Sequence, residues 1–284
     1  CYIVEDCPDG FKASVEKHMS ALGLQTVWAP SAFATDQYLA GTDEQRAADL
    51  QAAFADPSIK AVIATRGGEG SSRMLHLLNF SAFGNKIVMG YSDMTAVINA
   101  VHSQTQLVTF HGPMGISDST NWPFFKRIAM DGVPLTLTTP VNMQPYTIRP
   151  GVAKGKLIGG NLSILTNILG SKYALLDAFR GAILFIEDVD EVPYKIDRYM
   201  TQLALFGVLD VVAGVVFGQC TNCVAPPPTF TIPEVLKHHL ASRPYPSFAG
   251  AFFGHIDTQY TLPLGLVAEI NANNFTISFG PAVQ

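Results

Sequence analysis

Three apolar stretches of the chain each end in polar groups able to do nucleophilic or acid-base chemistry. "KIVMGYSD" runs into Ser92, "AILFIED" into Glu187 and Asp188, and "FAGAFFGHID" into Gly254 and His255. A serine hydroxyl needs a base to attack at neutral pH. A histidine acting as that base needs a carboxylate to fix its tautomer and steady the imidazolium. Ser92, one acid of the Glu187/Asp188 pair and His255 supply these parts, and serine, acid, histidine is one of the convergent chain orders. Ser92 stands where a strand-like run gives way to a helical pattern beginning near Met94. That is the setting of a nucleophile elbow, although Met94 occupies the place of the usual second glycine. Each residue also has a plain structural reading. Ser92 could cap the helix, as Glu187, Asp188, Asp190 and Glu191 could cap the one after them. His255 could be a hydrogen-bonded structural histidine like any of His18, His76, His102, His111, His238 and His239.

A fourth feature is the glycine-rich "ATRGGEGSSRML", which follows a strand pattern and opens a helical one. Adjacent glycines let backbone amides approach a ligand closely, to cradle an anion or complete an oxyanion hole. The stretch lacks the Gly-Lys-Ser/Thr ending of a Walker loop and the glycine spacing of a dinucleotide fingerprint, so an oxyanion role beside Ser92 is the better fit. Arg66 and Arg73 could each grip a substrate carboxylate, with surface ion pairing or helix packing as the alternative. Asn161, after a turn expected at the paired glycines of "LIGGN", could bind substrate or cap its own helix.

Strands and helices must position these groups. The 284 residues are 48% hydrophobic and 14% charged, the composition of a compact globular protein. With a formal charge of −5 and no dense run of Lys and Arg, there is no phosphate-neutralising face for nucleic acid. No apolar stretch reaches the ~20 residues of a membrane span, and the N-terminus lacks the basic-then-apolar order of a signal peptide. The expectation is a soluble cytoplasmic protein that neither crosses a membrane nor binds nucleic acid. Cys1, Cys7, Cys220 and Cys223 are too few for a disulfide scaffold. "CTNC" has redox or zinc spacing, but no second pair completes a metal site, so buried or incidental thiols and no metal are expected.

The first part alternates signals: "CYIV", the helix "FKASVEKHMSALGL", "QTVWA", the helix "DEQRAADLQAAFA" with a Thr42/Gln45 capping box, "KAVIAT", then "KIVMGYS". That order predicts an α/β fold with an N-terminal parallel-sheet domain of Rossmann or flavodoxin type, ligands sitting beyond the strand ends. From about Gly115 to Gly151 the text turns polar and Pro-bearing, then resumes through "KLIGGNLSILTNILG", "AILFIED", "KIDRYMTQLALFG", "VVAGVVFG" and a β-rich tail. The expected division is an N-terminal domain over residues 1–115, a junction over 116–150, and a C-terminal mixed β/α domain over 151–284.

The blocks "ATRGGEGSSRMLHLL", "GYSDMTAV", "TFHGPM", "LIGGNLSIL", "FIEDVDEVPYKIDRYMTQL", "GVVFGQCTNC" and "FFGHIDTQYTLPLG", in order over nearly the whole chain, resemble the LD-carboxypeptidases, also called muramoyltetrapeptide carboxypeptidases. The resemblance implies a serine peptidase without a cofactor, whose triad falls on Ser92, Glu187 and His255; it selects Glu187 over Asp188. It places oxyanion donors at the amides of Asp93 and of Gly67 or Gly68. The implied substrate is a small peptide, the cytoplasmic murein tetrapeptide of cell-wall recycling, and the implied assembly a homodimer. Two departures bear on substrate: Glu69 replaces a common aromatic residue after the paired glycines, and "CYIVEDCPDG" lacks the usual "APS"-like turn. Microcin C immunity hydrolases, which share the triad and cleave peptidyl or aminoacyl nucleotides, are the alternative within the resemblance. A non-catalytic binding protein is the alternative outside it.

Overall fold

The computed structural model describes residues 10–282; the strand expected at residues 1–4, and Cys1 and Cys7, lie outside them. The first elements are α1 (Phe11–Ala21), α2 (Asp43–Ala55), β1 (Ala61–Ile63), β2 (Ile87–Met89), α3 (Thr95–Thr105) and β3 (Thr109–His111). The chain continues through α4 (Trp122–Phe125), β4 (Leu135–Thr138), β5 (Tyr146–Arg149), β6 (Val152–Asn161), α5 (Leu162–Ile168), α6 (Leu176–Phe179) and β7 (Ile183–Val189). It closes with α7 (Pro193–Leu205), α8 (Val208–Val211), β8 (Gly214–Thr221), α9 (Ile232–Leu240), β9 (Ser247–Ala249), β10 (Leu262–Leu264), β11 (Val267–Asn271) and β12 (Thr276–Phe279).

Two sheets carry the architecture. One has the order β1-β2-β3-β10, its first three strands parallel and β10 antiparallel to β3. The other has the order β4-β12-β11-β6-β7-β8-β9-β5, with β6 to β9 parallel at its centre and antiparallel pairs on both flanks. Central parallel strands are covered on both faces, which is why β7 reads as an unbroken apolar run and buries Ile183 to Ile186 completely. α2 starts on the expected capping box: Thr42 Oγ1 accepts from the Gln45 amide at 3.3 Å, and Gln45 Oε1 accepts from the Thr42 amide at 2.9 Å. Residues 25–29, "QTVWA", where a strand is expected, form none among the described residues.

Two further expectations change. Gly159 and Gly160 do not form a turn; they are the last residues but one of strand β6. A Cβ at Gly159 would lie 1.7 Å from the Phe185 carbonyl oxygen, and one at Gly160 would lie 2.5 Å from Thr95 Oγ1. The missing side chains let β7 close in on one side and α3 on the other. Hydrogen bonds then cross the gap: Asn99 Nδ2 donates to the Gly159 carbonyl at 2.8 Å, and the Asn161 amide donates to Thr95 Oγ1 at 2.9 Å. The thiols of "CTNC" are not free either. Asn222 takes a left-handed conformation (φ 56°) that turns the chain back, bringing the Cα atoms of Cys220 and Cys223 to 5.4 Å in a disulfide at the end of β8. No helix among the described residues is long and apolar enough to cross a membrane.

These contacts separate two glycines that a sequence treats alike. Gly159→Ala should cost on the order of 4 kcal/mol or more, since strand backbone must move. Gly181→Ala, where φ is +68° and nothing lies within 4 Å of the new methyl, should cost only about 1 kcal/mol of backbone strain. Urea denaturation of both variants measures the difference.

Candidate active site

β2 ends at Met89, and three residues later Ser92 sits at φ 61°. That left-handed conformation in a non-glycine residue stores about 1–3 kcal/mol and marks a backbone held by its surroundings. A tight turn of Ser92–Met94 then feeds α3. The elbow obtains its close approach from Gly90, whose Cβ would fall 2.8 Å from Met94 Cβ, so the missing second glycine is no obstacle. Ser92 makes no capping hydrogen bond at the helix start.

The glycine turn lies directly over this hydroxyl. A Cβ on Gly67 would stand 2.8 Å from both Cβ and Oγ of Ser92. Gly68 follows at φ +127°, again a conformation suited to glycine. The buried Asp93 carboxylate ties turn to elbow, accepting from the Ser71 amide at 3.1 Å and from Ser71 Oγ at 2.7 Å. The backbone of the turn is thereby tied to the segment that carries the serine.

Glu187 and Asp188 are both buried yet do different things. Glu187 Oε2 accepts from His255 Nδ1 at 2.8 Å. Asp188 accepts from Asn161 Nδ2 at 3.0 Å, from the Ser163 amide at 3.0 Å and from its neighbour Val189 at 2.9 Å. A register shift of β7 against β8 between Ile186 and Asp188 lets consecutive acids both be enclosed. Burial, reinforced by the Glu187 charge, pushes Asp188 up to about 7. Burial alone would lower His255, but the Glu187 charge and hydrogen bond outweigh it and hold the imidazole above its ordinary value.

His255 does not end a strand, as its sequence context suggested; it lies in the loop beyond β9, where its carbonyl accepts from Thr221 Oγ1 at 2.7 Å. Gly254 (φ +127°) permits this path, and a Cβ there would crowd Glu187 Oε2 at 3.2 Å. The His255 ring stands edge-on to Tyr91 with centroids 5.0 Å apart, so the elbow and the histidine loop meet through the residue before Ser92. Ser92, the glycine turn, Glu187 and His255 thus share one neighbourhood drawn from both sheets.

The remaining candidates divide. Asn161 is buried: its side-chain oxygen accepts from the Ile164 amide as a helix cap, and its Nδ2 donates to Asp188. Arg73 is half exposed and donates to Asp43 at 3.0 Å in a surface ion pair. Arg66 and Glu69 flank the paired glycines, and Glu69 Oε1 accepts from the Gly70 amide at 3.0 Å. Tyr91, Ser71, Thr95 and Asn99 escaped sequence reasoning because each acts through a partner distant in the chain.

Two family profiles match the chain, the LD-carboxypeptidase N-terminal domain over residues 6–112 and the LD-carboxypeptidase C-terminal domain over residues 154–270. A probable murein peptide carboxypeptidase of Bacillus subtilis is 37% identical over 271 residues, covering 89% of this chain and 82% of that protein. The microcin C7 self-immunity protein MccF of Escherichia coli is 31% identical over 283 residues, covering 86% of this chain and 80% of that protein. Among solved structures, the muramoyltetrapeptide carboxypeptidase of Oxalobacter formigenes superimposes with a TM-score of 0.80 at 25% identity, covering 95% of this chain and 93% of that one.

Gly67→Ala tests the turn over the serine. Its methyl would press on the nucleophile itself, so turnover should fall roughly a hundredfold, as when an oxyanion donor is lost. The urea midpoint should barely move, and steady-state kinetics beside denaturation reads both.

Proposed function

The chain belongs to the LD-carboxypeptidase family of serine peptidases, and we propose that it removes the terminal D-alanine of murein tetrapeptide by a Ser92–His255–Glu187 triad. The observation carrying this reading is the 2.8 Å bond from His255 Nδ1 to the buried Glu187, which leaves Nε2 as the ring's free base, with the ring against Tyr91, the residue before the strained serine.

In the first step Nε2 takes the Ser92 proton as Oγ attacks the carbonyl that joins an L-centre to D-alanine. Negative charge on that oxygen is received by the amides of Asp93 and of Gly67 or Gly68. The imidazolium, steadied by Glu187, gives its proton to the departing amine, and an acyl ester remains on Ser92. Water enters, loses a proton to the same nitrogen and releases the trimmed peptide. Ser92 makes no hydrogen bond to His255 in the free protein among the described residues; such contacts commonly tighten when substrate arrives. The reading places this activity in cytoplasmic murein recycling, by a homodimer.

The likeness to MccF, which has been solved with aspartyl sulfamoyl adenosine, supports a second reading in which the same triad cleaves an aminoacyl nucleotide. Glu69, where the resemblance leads one to expect an aromatic ring, keeps that substrate in view.

D-alanine release from murein tetrapeptide, followed by mass spectrometry, tests the assignment. Ser92→Ala should lower it by at least about a thousandfold. Release by neither wild type nor variant, with cleavage of an aminoacyl sulfamoyl nucleoside by wild type alone, would select the second reading; equal release by both would remove Ser92 from the mechanism. The pH profile supplies a separate check. Only unprotonated His255 accepts a proton, and its pKa is raised, so kcat/KM should fall on the acid side with a midpoint above 6.5. Glu187→Gln, which removes the charge responsible, should move that midpoint downward.

A further inference from the structure

Around the His255–Glu187 pair and β3, four side-chain atoms are sealed from solvent without a hydrogen-bond partner among the described residues: both ring nitrogens of His111, Oε1 of Glu187 and Oγ1 of Thr261. His111 ends β3 opposite Leu262 of β10, which puts it next to Thr261. A Cβ on Gly112, the residue after His111, would touch Thr261 Oγ1 at 3.0 Å, so that hydroxyl lies on the face of the sheet opposite the His111 ring. The imidazole is boxed in by the rings of Tyr91, Phe185 and Phe253, with centroids 5.9, 5.6 and 6.1 Å away. Phe185 precedes Glu187 by two residues on β7, so the two side chains leave the same face of that strand. Tyr91 touches His255 as well. The titratable groups facing His111 are therefore Tyr91 from the elbow, Glu187 from β7 and His255 from the loop beyond β9.

Burial pushes His111 down to about 4 against the pull of Glu187, so its ring is neutral where the enzyme works. A neutral imidazole offers one donor and one acceptor and does not compete with His255 for the carboxylate. Enclosed polar groups left unpaired cost about 1–3 kcal/mol each, and such groups are regularly joined by an internal water with two to four polar partners.

We propose that His111 is a positioning residue, donating through one internal water to Glu187 Oε1. Both carboxylate oxygens are then held, Oε2 by His255 and Oε1 from behind. The carboxylate plane stays fixed while the imidazole on its other side gains and loses a proton. This inference rests on Glu187 acting as the orienting acid.

The test compares His111→Phe, which fills the space without a polar atom, with His111→Gln, which restores a donor. In His111→Phe, kcat should drop about tenfold or more with KM within twofold, and the acid midpoint of kcat/KM should move down by about half a pH unit or more, as Glu187 holds His255 less firmly. His111→Gln should recover most of both. An NMR titration of the His255 ring in the three proteins needs no substrate, so it reads the inference even where murein tetrapeptide fails as substrate. A His111→Phe protein with wild-type kcat and His255 titration, and only a lowered unfolding temperature, overturns the proposal in favour of packing alone. If the variants do not fold, the wild-type spectrum decides: a His111 ring that stays neutral with one slowly exchanging N–H through pH 5–8 supports it, and one that titrates near 6.5 overturns it.

Discussion

The site depends on how closely two sheets approach one another. The serine rides between β2 and α3, whereas the acid belongs to the other sheet and the histidine to the loop that leads from β9 of that sheet to β10. Reaction requires the two sides to be aligned to a fraction of an ångström. Gly159 and Gly160 provide that alignment by having nothing to hold the surfaces apart. Across the contact Thr95 and Asn99 of α3 bond to the β6 backbone, Asn161 passes the constraint to Asp188, and Asp188 is covalently next to Glu187. A short chain of hydrogen bonds therefore runs from the helix that presents the nucleophile to the strand that presents the acid.

Burial gives each polar group there more leverage and more risk. A carboxylate excluded from water is costly to ionise unless it is paired. Glu187 has His255, while Asp188 has two amides and a carboxamide. Adjacent acids with different partners divide the labour, one serving the imidazole and the other the scaffold. The strain at Ser92 is a comparable expense, sustained by the Asp93–Ser71 bond and the glycine turn on one side and by α3 on the other.

Much of this was legible in the chain. Capping at Thr42 and Gln45, the apolar run of β7 and the abrupt polar ends at Ser92 and Glu187 are local patterns, and local patterns survive folding. What failed was non-local. "LIGGN" resembles a turn until the glycines are seen to face Thr95 and the Phe185 carbonyl. Cys220 and Cys223 became a disulfide because Asn222 reverses the chain between them. The tie between Glu187 and His255 was implied by resemblance; pattern alone left Glu187 and Asp188 equal, and only their separate hydrogen bonds tell them apart.

β10 has a consequence for the order in which the molecule is made. Residues 262–264 close the far side of β3, so the sheet bearing the nucleophile lacks a strand until about 150 residues beyond β3 have been synthesised. Domains made early in synthesis generally fold first. Here the early half must wait, with Phe110 and His111 lacking their final neighbours, until the tail returns. A nascent chain thus carries its serine long before it owns a finished cutting edge, which couples hydrolytic competence to the synthesis of β10.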